Sequence, residues 1–179
     1  MSPLAAAPAH ARAIEAIGNL LTKLRVDFMF VGDAARVAWL GGSIDSGAID
    51  VVALMQPPQK MPLAAMAHNN GFEVDRGEIE AAEEYDLVPM KFEGVRVHVL
   101  VGSNALYGRM FGERWYEQFG DHEWRVPSPE DLALLLALAE DEVALAQVMA
   151  LPGFDRTRYE EKLTSIGLGR LVIARNDKS

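Results

Sequence analysis

The sequence contains no cysteine, few cations and no long apolar run. The absence of cysteine excludes a disulfide framework, a thiolate zinc site and a cysteine nucleophile. Lysine and arginine total 17 against 26 aspartates and glutamates, which gives a formal net charge of -9. This balance argues against duplex nucleic acid or an anionic membrane as the main partner, because both are bound through clustered cations. It leaves room for a local basic pocket.

The apolar stretches are short. The longest covers residues 132–139, far below the roughly 20 residues that a membrane-spanning helix needs. The first residues lack the early positive charge and the unbroken apolar run of a signal peptide. We therefore expect a cytoplasmic protein with a loose N-terminal tail over residues 1–11.

The 179 residues are half hydrophobic, which suits one globular domain. Apolar periodicity and turn signals predict helices at residues 11–25, 34–40, 61–70, 104–119, 129–150, 156–165 and 168–174. They predict strands at residues 27–31, 48–54, 72–74, 85–92 and 95–101. Glu93-Gly94 indicates a tight hairpin, and Ser128 indicates the N-cap of the helix that follows.

The order of elements predicts an α/β protein, α+β in the stricter sense. We expect a small mixed sheet with helices packed on it, followed by C-terminal helices. The predicted α/β core covers residues 11–126, and residues 127–179 form a helical part of the same domain.

Residues 31–54 (VGDAARVAWLGGSIDSGAIDVVAL) hold a strand, a glycine turn, a helix, a Gly-Gly-Ser loop and a strand that contains an acid. This arrangement resembles the minimal nucleotidyltransferase superfamily, in particular its abortive-infection-type, toxin-like branch. In that family the second strand carries two aspartates at i and i+2, a later strand carries a third, and the helix that begins Pro-Ser-Pro-Glu-Asp carries an inward lysine. The resemblance implies a nucleotidyltransferase-like fold and two Mg²⁺ ions that neutralise a nucleoside triphosphate.

The family pattern is only partly kept. Asp50 matches the second aspartate, but the first falls on Ala48 and the third on His98. The lysine position falls near Leu135, and the chain has no lysine between Lys91 and Lys162. One carboxylate and one imidazole cannot replace three carboxylates around two hard cations. The resemblance therefore implies a degraded catalytic motif in which Asp50 is the remaining metal ligand.

Three side chains are candidates for the catalytic site: Asp33, Asp50 and His98. For Asp33 we favour an N-cap at the start of the second helix. For Asp50 a ligand role and a pairing with His98 or a backbone donor are both open. Three further residues, Gly32, Gly42 and Ser43, are candidates for cofactor binding, although Gly-Gly-Ser is more typical of a helix stop than of a phosphate loop.

These positions predict a nucleotidyltransferase-like protein with a largely degraded metal site and weak Mg²⁺ binding. It would bind a nucleotide or another ligand, or a protein partner in a toxin–antitoxin or defence system, as the resemblance implies. The alternative is an active metal-dependent nucleotidyltransferase that uses Asp33, Asp50 and His98 around one metal ion.

Overall fold

The computed structural model describes residues 5–82, 85–102, 104–113, 115–119 and 121–166. The helices in these ranges are α1 (Pro8–Lys23), α2 (Gly32–Leu40), α3 (Lys60–Asn69), α4 (Arg76–Ala81), α5 (Ala105–Met110), α6 (Pro129–Leu138), α7 (Glu142–Met149) and α8 (Arg156–Ser165). The strands are β1 (Ala5–Ala6), β2 (Phe28–Phe30), β3 (Ser43–Ile44), β4 (Ile49–Ala53), β5 (Leu87–Phe92), β6 (Val95–Val101), β7 (Trp115–Phe119) and β8 (His122–Val126). The predicted mixed α/β class is confirmed.

The central sheet has the strand order β2-β4-β6-β5. Strand β4 pairs antiparallel with β2 and parallel with β6, and β5 pairs antiparallel with β6. The predicted Glu93-Gly94 turn joins β5 to β6, and both residues have positive φ, at 48° and 81°. The sheet is therefore mixed, with parallel pairing only at its centre.

One face of the sheet is closed and the other is partly open. In β6 the four valines are buried, whereas Arg96, His98 and Leu100 point to the other face and are exposed or half-buried. The closed face packs against α1 and α3 in the largest apolar cluster. On the opposite face, α5 and α6 cover only the end that contains Val52 and Leu100. The end with His98 is left partly open.

Residues 115–126 correct the sequence prediction. We expected one helix over residues 104–119, but α5 ends at Met110 and residues 115–119 form β7, which pairs antiparallel with β8. The apolar side of this hairpin lies on the central sheet, where Trp124 packs on Phe28 and Phe30. The same indole lies so close to Gly18 of α1 that a Cβ there would sit 2.7 Å from it. Burial of these aromatic rings stabilises the hairpin more than the local helical spacing would stabilise a helix.

The N-terminal segment and the C-terminal helices also differ from expectation. Strand β1 pairs with β3, and α1 begins at Pro8, so residues 5–11 are not a loose tail. The helix predicted over residues 129–150 is two helices, because Glu140 has a left-handed φ of 58° and Asp141 caps α7. Ser128 caps α6 as predicted. The helix predicted over residues 168–174 lies outside the described residues.

Helices α6, α7 and α8 share a second apolar cluster that also includes Ala35 and Trp39 of α2. This contact ties the C-terminal helices to the helix that follows the first glycine turn. In the described part of the chain, no helix has both the length and the apolar character needed to cross a membrane.

Candidate functional site

Asp50 and His98 lie side by side on the partly open face of the sheet. They are register partners in the parallel β4–β6 pair. His98 Nδ1 lies 3.0 Å from Asp50 Oδ1, and about one third of each side chain is exposed. The prediction that these residues share one face of adjacent strands is confirmed. Asp50 pairs with His98, one of the two roles left open for it, and its role as a metal ligand stays a prediction.

The hydrogen bond determines which ring nitrogen of His98 faces Asp50. An ionised carboxylate can only accept hydrogen bonds, so the Nδ1–H group of His98 donates to Asp50. The Nε2 atom of His98 is then the ring atom that remains for a ligand. Asp50 thus orients a histidine at the site where the family resemblance places a third aspartate.

Gly32 brings the N-terminus of α2 against Asp50. Its φ is +57°, and a Cβ at this position would lie 2.5 Å from Asp50 Oδ2. The neighbouring Val31 N–H donates to the backbone oxygen of Asp50 at 2.9 Å. Only glycine meets both requirements, a left-handed backbone and the absence of a side chain. The first glycine of the turn therefore lies at the candidate site.

Asp33 does not cap α2. The N-cap is Val31, which makes no side-chain hydrogen bond, and Asp33 lies in the first helical turn. Its Oδ1 accepts hydrogen bonds from Arg36 Nε at 3.1 Å and Nη2 at 3.0 Å. Its Oδ2 lies near Gly47, where a Cβ would approach to 3.3 Å. The helix begins two residues earlier than expected, at Gly32, so Asp33 lies inside the helix instead of capping it.

Gly42 and Ser43 follow the end of α2. Gly41 is the C-cap with φ 77°, Gly42 has φ 103°, and Ser43 begins β3. The hydroxyl of Ser43 donates to Asp45 Oδ1 at 2.7 Å. The Gly-Gly-Ser segment is thus a helix stop, as we favoured. A role of Gly42 or Ser43 in binding a cofactor stays a prediction.

The side chains at this site do not fit two Mg²⁺ ions. Asp50 is the only carboxylate on β2, β4, β5 and β6. In the described ranges, no group of three or more His, Asp or Glu side chains is arranged to hold a metal ion, so Asp33, Asp50 and His98 do not form one there. Leu135, at the predicted lysine position, packs in the apolar cluster that covers the other end of this face. Hard divalent cations require more oxygen ligands than Asp50 alone supplies.

Two further groups of charged residues escaped the sequence analysis. Lys91 and Arg96 are register partners on the same face as His98. The hairpin signal at Glu93-Gly94 could have revealed this pair, since a two-residue turn fixes which residues face each other. We use the name open face for the side chains of Asp50, Pro89, Lys91, Arg96 and His98.

The second group is an ionic cluster that anchors α8. Lys162 Nζ donates to Asp131 Oδ1 and to Glu113 Oε1, both at 2.6 Å, and Arg158 also pairs with Glu113. Burial raises the pKa of Asp131 above its ordinary value, although Lys162 opposes this. Burial also acts to raise the pKa of Glu113, but Lys162 and Arg158 together lower it below its ordinary value. The directions differ because the side chain of Asp131 is the more deeply buried, at 4% exposed against 18%.

Two cavities lie away from the open face. One of about 180 Å³ lies between α1 and the β7–β8 hairpin, lined in part by Glu15, His122 and Trp124. Another of about 410 Å³ is lined in part by Arg25 and Arg125. Neither cavity is lined by Asp50 or His98.

The chain has a nucleotidyltransferase-like fold, as its likeness to solved structures shows. The solution structure of the antibiotic-resistance factor ANT(2'')-Ia matches with a TM-score of 0.51 and 15% identity, over 94% of each chain. The crystal structure of an antigenic nucleotidyltransferase-like protein from Paracoccidioides brasiliensis matches with a TM-score of 0.55 and 15% identity, over 98% of this chain and 92% of that one. No protein-family model matches the sequence, and no curated protein matches it. At this identity the likeness establishes the fold alone.

Proposed function

We propose that this protein binds a nucleotide at the open face and does not carry out the two-metal transfer reaction. The observation that carries the proposal is that Asp50 is the only carboxylate on the four strands of the central sheet. Two Mg²⁺ ions next to a triphosphate need several carboxylates to hold them. The protein keeps the fold on which that chemistry occurs but lacks the ligands for it.

The geometry around Asp50 favours a phosphorylated ligand. Gly32 leaves the start of α2 free of a side chain next to the Asp50 carboxylate. The N–H groups at the N-terminus of a helix favour an anion. His98 adds a hydrogen-bonding imidazole that Asp50 holds in one orientation.

A protein partner belongs to the same proposal. The resemblance to the abortive-infection-type branch motivates a toxin–antitoxin or defence role, in which a nucleotide-binding domain regulates a partner rather than modifying a substrate. This part rests on the sequence motifs of residues 31–54.

Calorimetric titration with ATP, GTP, CTP and UTP tests the proposal, in chelator and again in Mg²⁺. We expect at least one nucleotide to bind the parent protein, and His98→Ala to weaken it by about tenfold, or about 1.4 kcal/mol. The exposed His68 on α3 provides the matched control, because His68→Ala removes an imidazole far from the sheet face. Failure of all four nucleotides to bind would refute the proposal.

A transfer assay with radiolabelled nucleotides separates the proposal from its alternative. We expect no metal-dependent release of pyrophosphate. Release that requires Mg²⁺ or Mn²⁺ and disappears in Asp50→Asn would instead support the active enzyme with Asp33, Asp50 and His98. Asp27→Asn serves as the control, since Asp27 is an exposed acid just before β2.

A further inference from the structure

Two cations lie opposite each other on the open face. The antiparallel register of β5 and β6 pairs Lys91 with Arg96 and Pro89 with His98. Directly paired residues have Cβ atoms about 5 Å apart on one face. His98 lies two residues beyond Arg96 on the same strand, which separates their Cα atoms by roughly 7 Å. The two cations therefore adjoin the Asp50–His98 pair.

Neither cation is neutralised within the described part of the chain. The carboxylate of Asp50 is engaged by His98, and no ion pair joins Lys91 or Arg96 to any described acid. Glu73 pairs with Lys91 through the backbone alone. Like charges directly opposite each other in a sheet are destabilising. Of the eight other described arginines, four pair with a carboxylate: Arg12, Arg36, Arg76 and Arg158.

The position of Arg96 is informative. The parallel register pairs Ile49 with Val97 and Asp50 with His98. One step further toward the N-terminus, this register brings Ala48 opposite Arg96. The family resemblance places the first metal-binding aspartate at residue 48. This chain has Ala48 there, opposite Arg96 of the neighbouring strand.

We propose that Arg96 and Lys91 bind the phosphate groups of the nucleotide directly, so that binding requires no divalent cation. This inference rests on the proposed function, because it names what holds the phosphates at that same site. A bound phosphate relieves the repulsion between the two cations. The planar guanidinium of Arg96 can donate two parallel hydrogen bonds to phosphate oxygens, and Lys91 adds a point charge. The positive charge that the metal ions would supply then comes from two side chains.

The test is titration with ATP in chelator and in Mg²⁺, followed by competition with inorganic tripolyphosphate. We expect the affinity of the parent protein for ATP to be the same within about twofold in both buffers, and tripolyphosphate to displace ATP. Arg96→Gln should weaken ATP binding by about tenfold and flatten its dependence on salt. Lys91→Gln should weaken it less, because lysine makes no bidentate contact.

Arg76→Gln is the matched control, since it removes one exposed guanidinium from α4, where it pairs with Glu80. It should leave the affinity unchanged within about twofold. Arg96 is itself exposed and lies opposite Lys91, so Arg96→Gln should melt at or slightly above the temperature of the parent.

The outcomes distinguish the two proposals. If ATP binds only with Mg²⁺, or if Arg96→Gln binds as tightly as Arg76→Gln, the assignment of the phosphate site is wrong while nucleotide binding stands. Failure of tripolyphosphate to displace ATP overturns the same assignment. If ATP and the other nucleoside triphosphates do not bind under either condition, both proposals fail.

Discussion

At the scale of single residues, Gly32 is the position where backbone conformation and the candidate site meet. Its φ of +57° is one that residues with a Cβ rarely adopt, and its Cα faces the Asp50 carboxylate. The glycine therefore does two things: it starts α2 and it admits Asp50 Oδ2 to the helix N-terminus. The sequence showed the glycine, but the contact depends on the β4–β2 register.

We predict that Gly32→Ala lowers the free energy of unfolding by about 2–3 kcal/mol, because backbone strain is combined with a clash. Gly94→Ala is the control: Gly94 has a φ of +81° and nothing within 4 Å of a built Cβ. Gly94→Ala should lower the free energy of unfolding by only about 1 kcal/mol, because it introduces backbone strain without a clash. Urea unfolding measures both variants, and equal losses would mean that Gly32 does not approach Asp50.

A second prediction concerns Lys162, which lies between two carboxylates. Replacing it with methionine leaves Asp131 and Glu113 buried without their shared cation. We expect Lys162→Met to be less stable than the parent by about 3–5 kcal/mol near neutral pH, the typical loss when one partner of a buried pair is removed. The exposed Lys23→Met is the control and should change stability by less than about 0.5 kcal/mol.

The pH dependence of this variant has a definite sign. In the parent, the lowered pKa of Glu113 contributes stability that is present above its unfolded pKa and lost as the pH falls through the folded one. Without Lys162, burial raises the pKa of Asp131 further and only Arg158 is left to lower the pKa of Glu113, so stability is lost as the pH rises through the pKa of Asp131. The difference in the free energy of unfolding between the parent and Lys162→Met should therefore decrease as the pH falls from about 7 to about 4. A gap that is constant over this range would contradict the buried cluster.

At the scale of elements, strands with unambiguous alternation were predictable and those that depend on distant contacts were not. The bounds of β6 match the expectation at both ends, since valine alternates with other residues between clear turn signals. The β7–β8 hairpin was missed, although Gly120-Asp121 between two aromatic runs is a hairpin signal. The helical spacing of the residues before this signal favoured a single helix over residues 104–119 instead. The hairpin forms because Trp124 is buried against Phe28 and Phe30, and these residues lie far from Trp124 in the sequence.

Part of the candidate site could be predicted from the sequence, and part could not. The Asp50–His98 pair followed from two strands placed on one face, and the structure confirms their adjacency. The Lys162 cluster could not be foreseen, because it joins residues that lie 31 and 49 positions apart. The roles of Asp33, Gly42 and Ser43 in ligand binding stay predictions.

The break between α6 and α7 provides a test at this scale. Glu140 holds a φ of +58° in the connection. We predict that Glu140→Gly raises the free energy of unfolding by about 0.5–1 kcal/mol, because glycine adopts this conformation without the Cβ penalty. Gln147→Gly, at an exposed position inside α7, should instead lower it by about 1 kcal/mol. Thermal melts of the two variants should therefore shift in opposite directions, and a downward shift for Glu140→Gly would mean that α6 and α7 form one continuous helix.

At the scale of the whole molecule, the chain combines a net charge of -9 with a local pair of cations on the open face. Association with an anionic ligand is opposed by the overall charge and favoured by that local field. Lys91 and Arg96 supply the local positive charge that the proposed phosphate site requires.

Positions 48, 50 and 98 should lie close enough together to bind a divalent metal ion once all three are carboxylates. Ala48→Asp together with His98→Asp recreates the carboxylate set around Asp50 that the family resemblance implies. Without metal, the added like charges raise the pKa values of one another and lower the melting temperature. With Mn²⁺ or Mg²⁺ at about 100 times its dissociation constant, binding to the folded state restores about 2.7 kcal/mol.

The control variant carries the same charge change at exposed positions, as Ala146→Asp with His68→Asp. We expect the added ion to raise the melting temperature of the first double variant well above any change in the parent or the control. If all three melt alike with and without the ion, residues 48, 50 and 98 do not surround a common site, and the correspondence with the family motif is wrong.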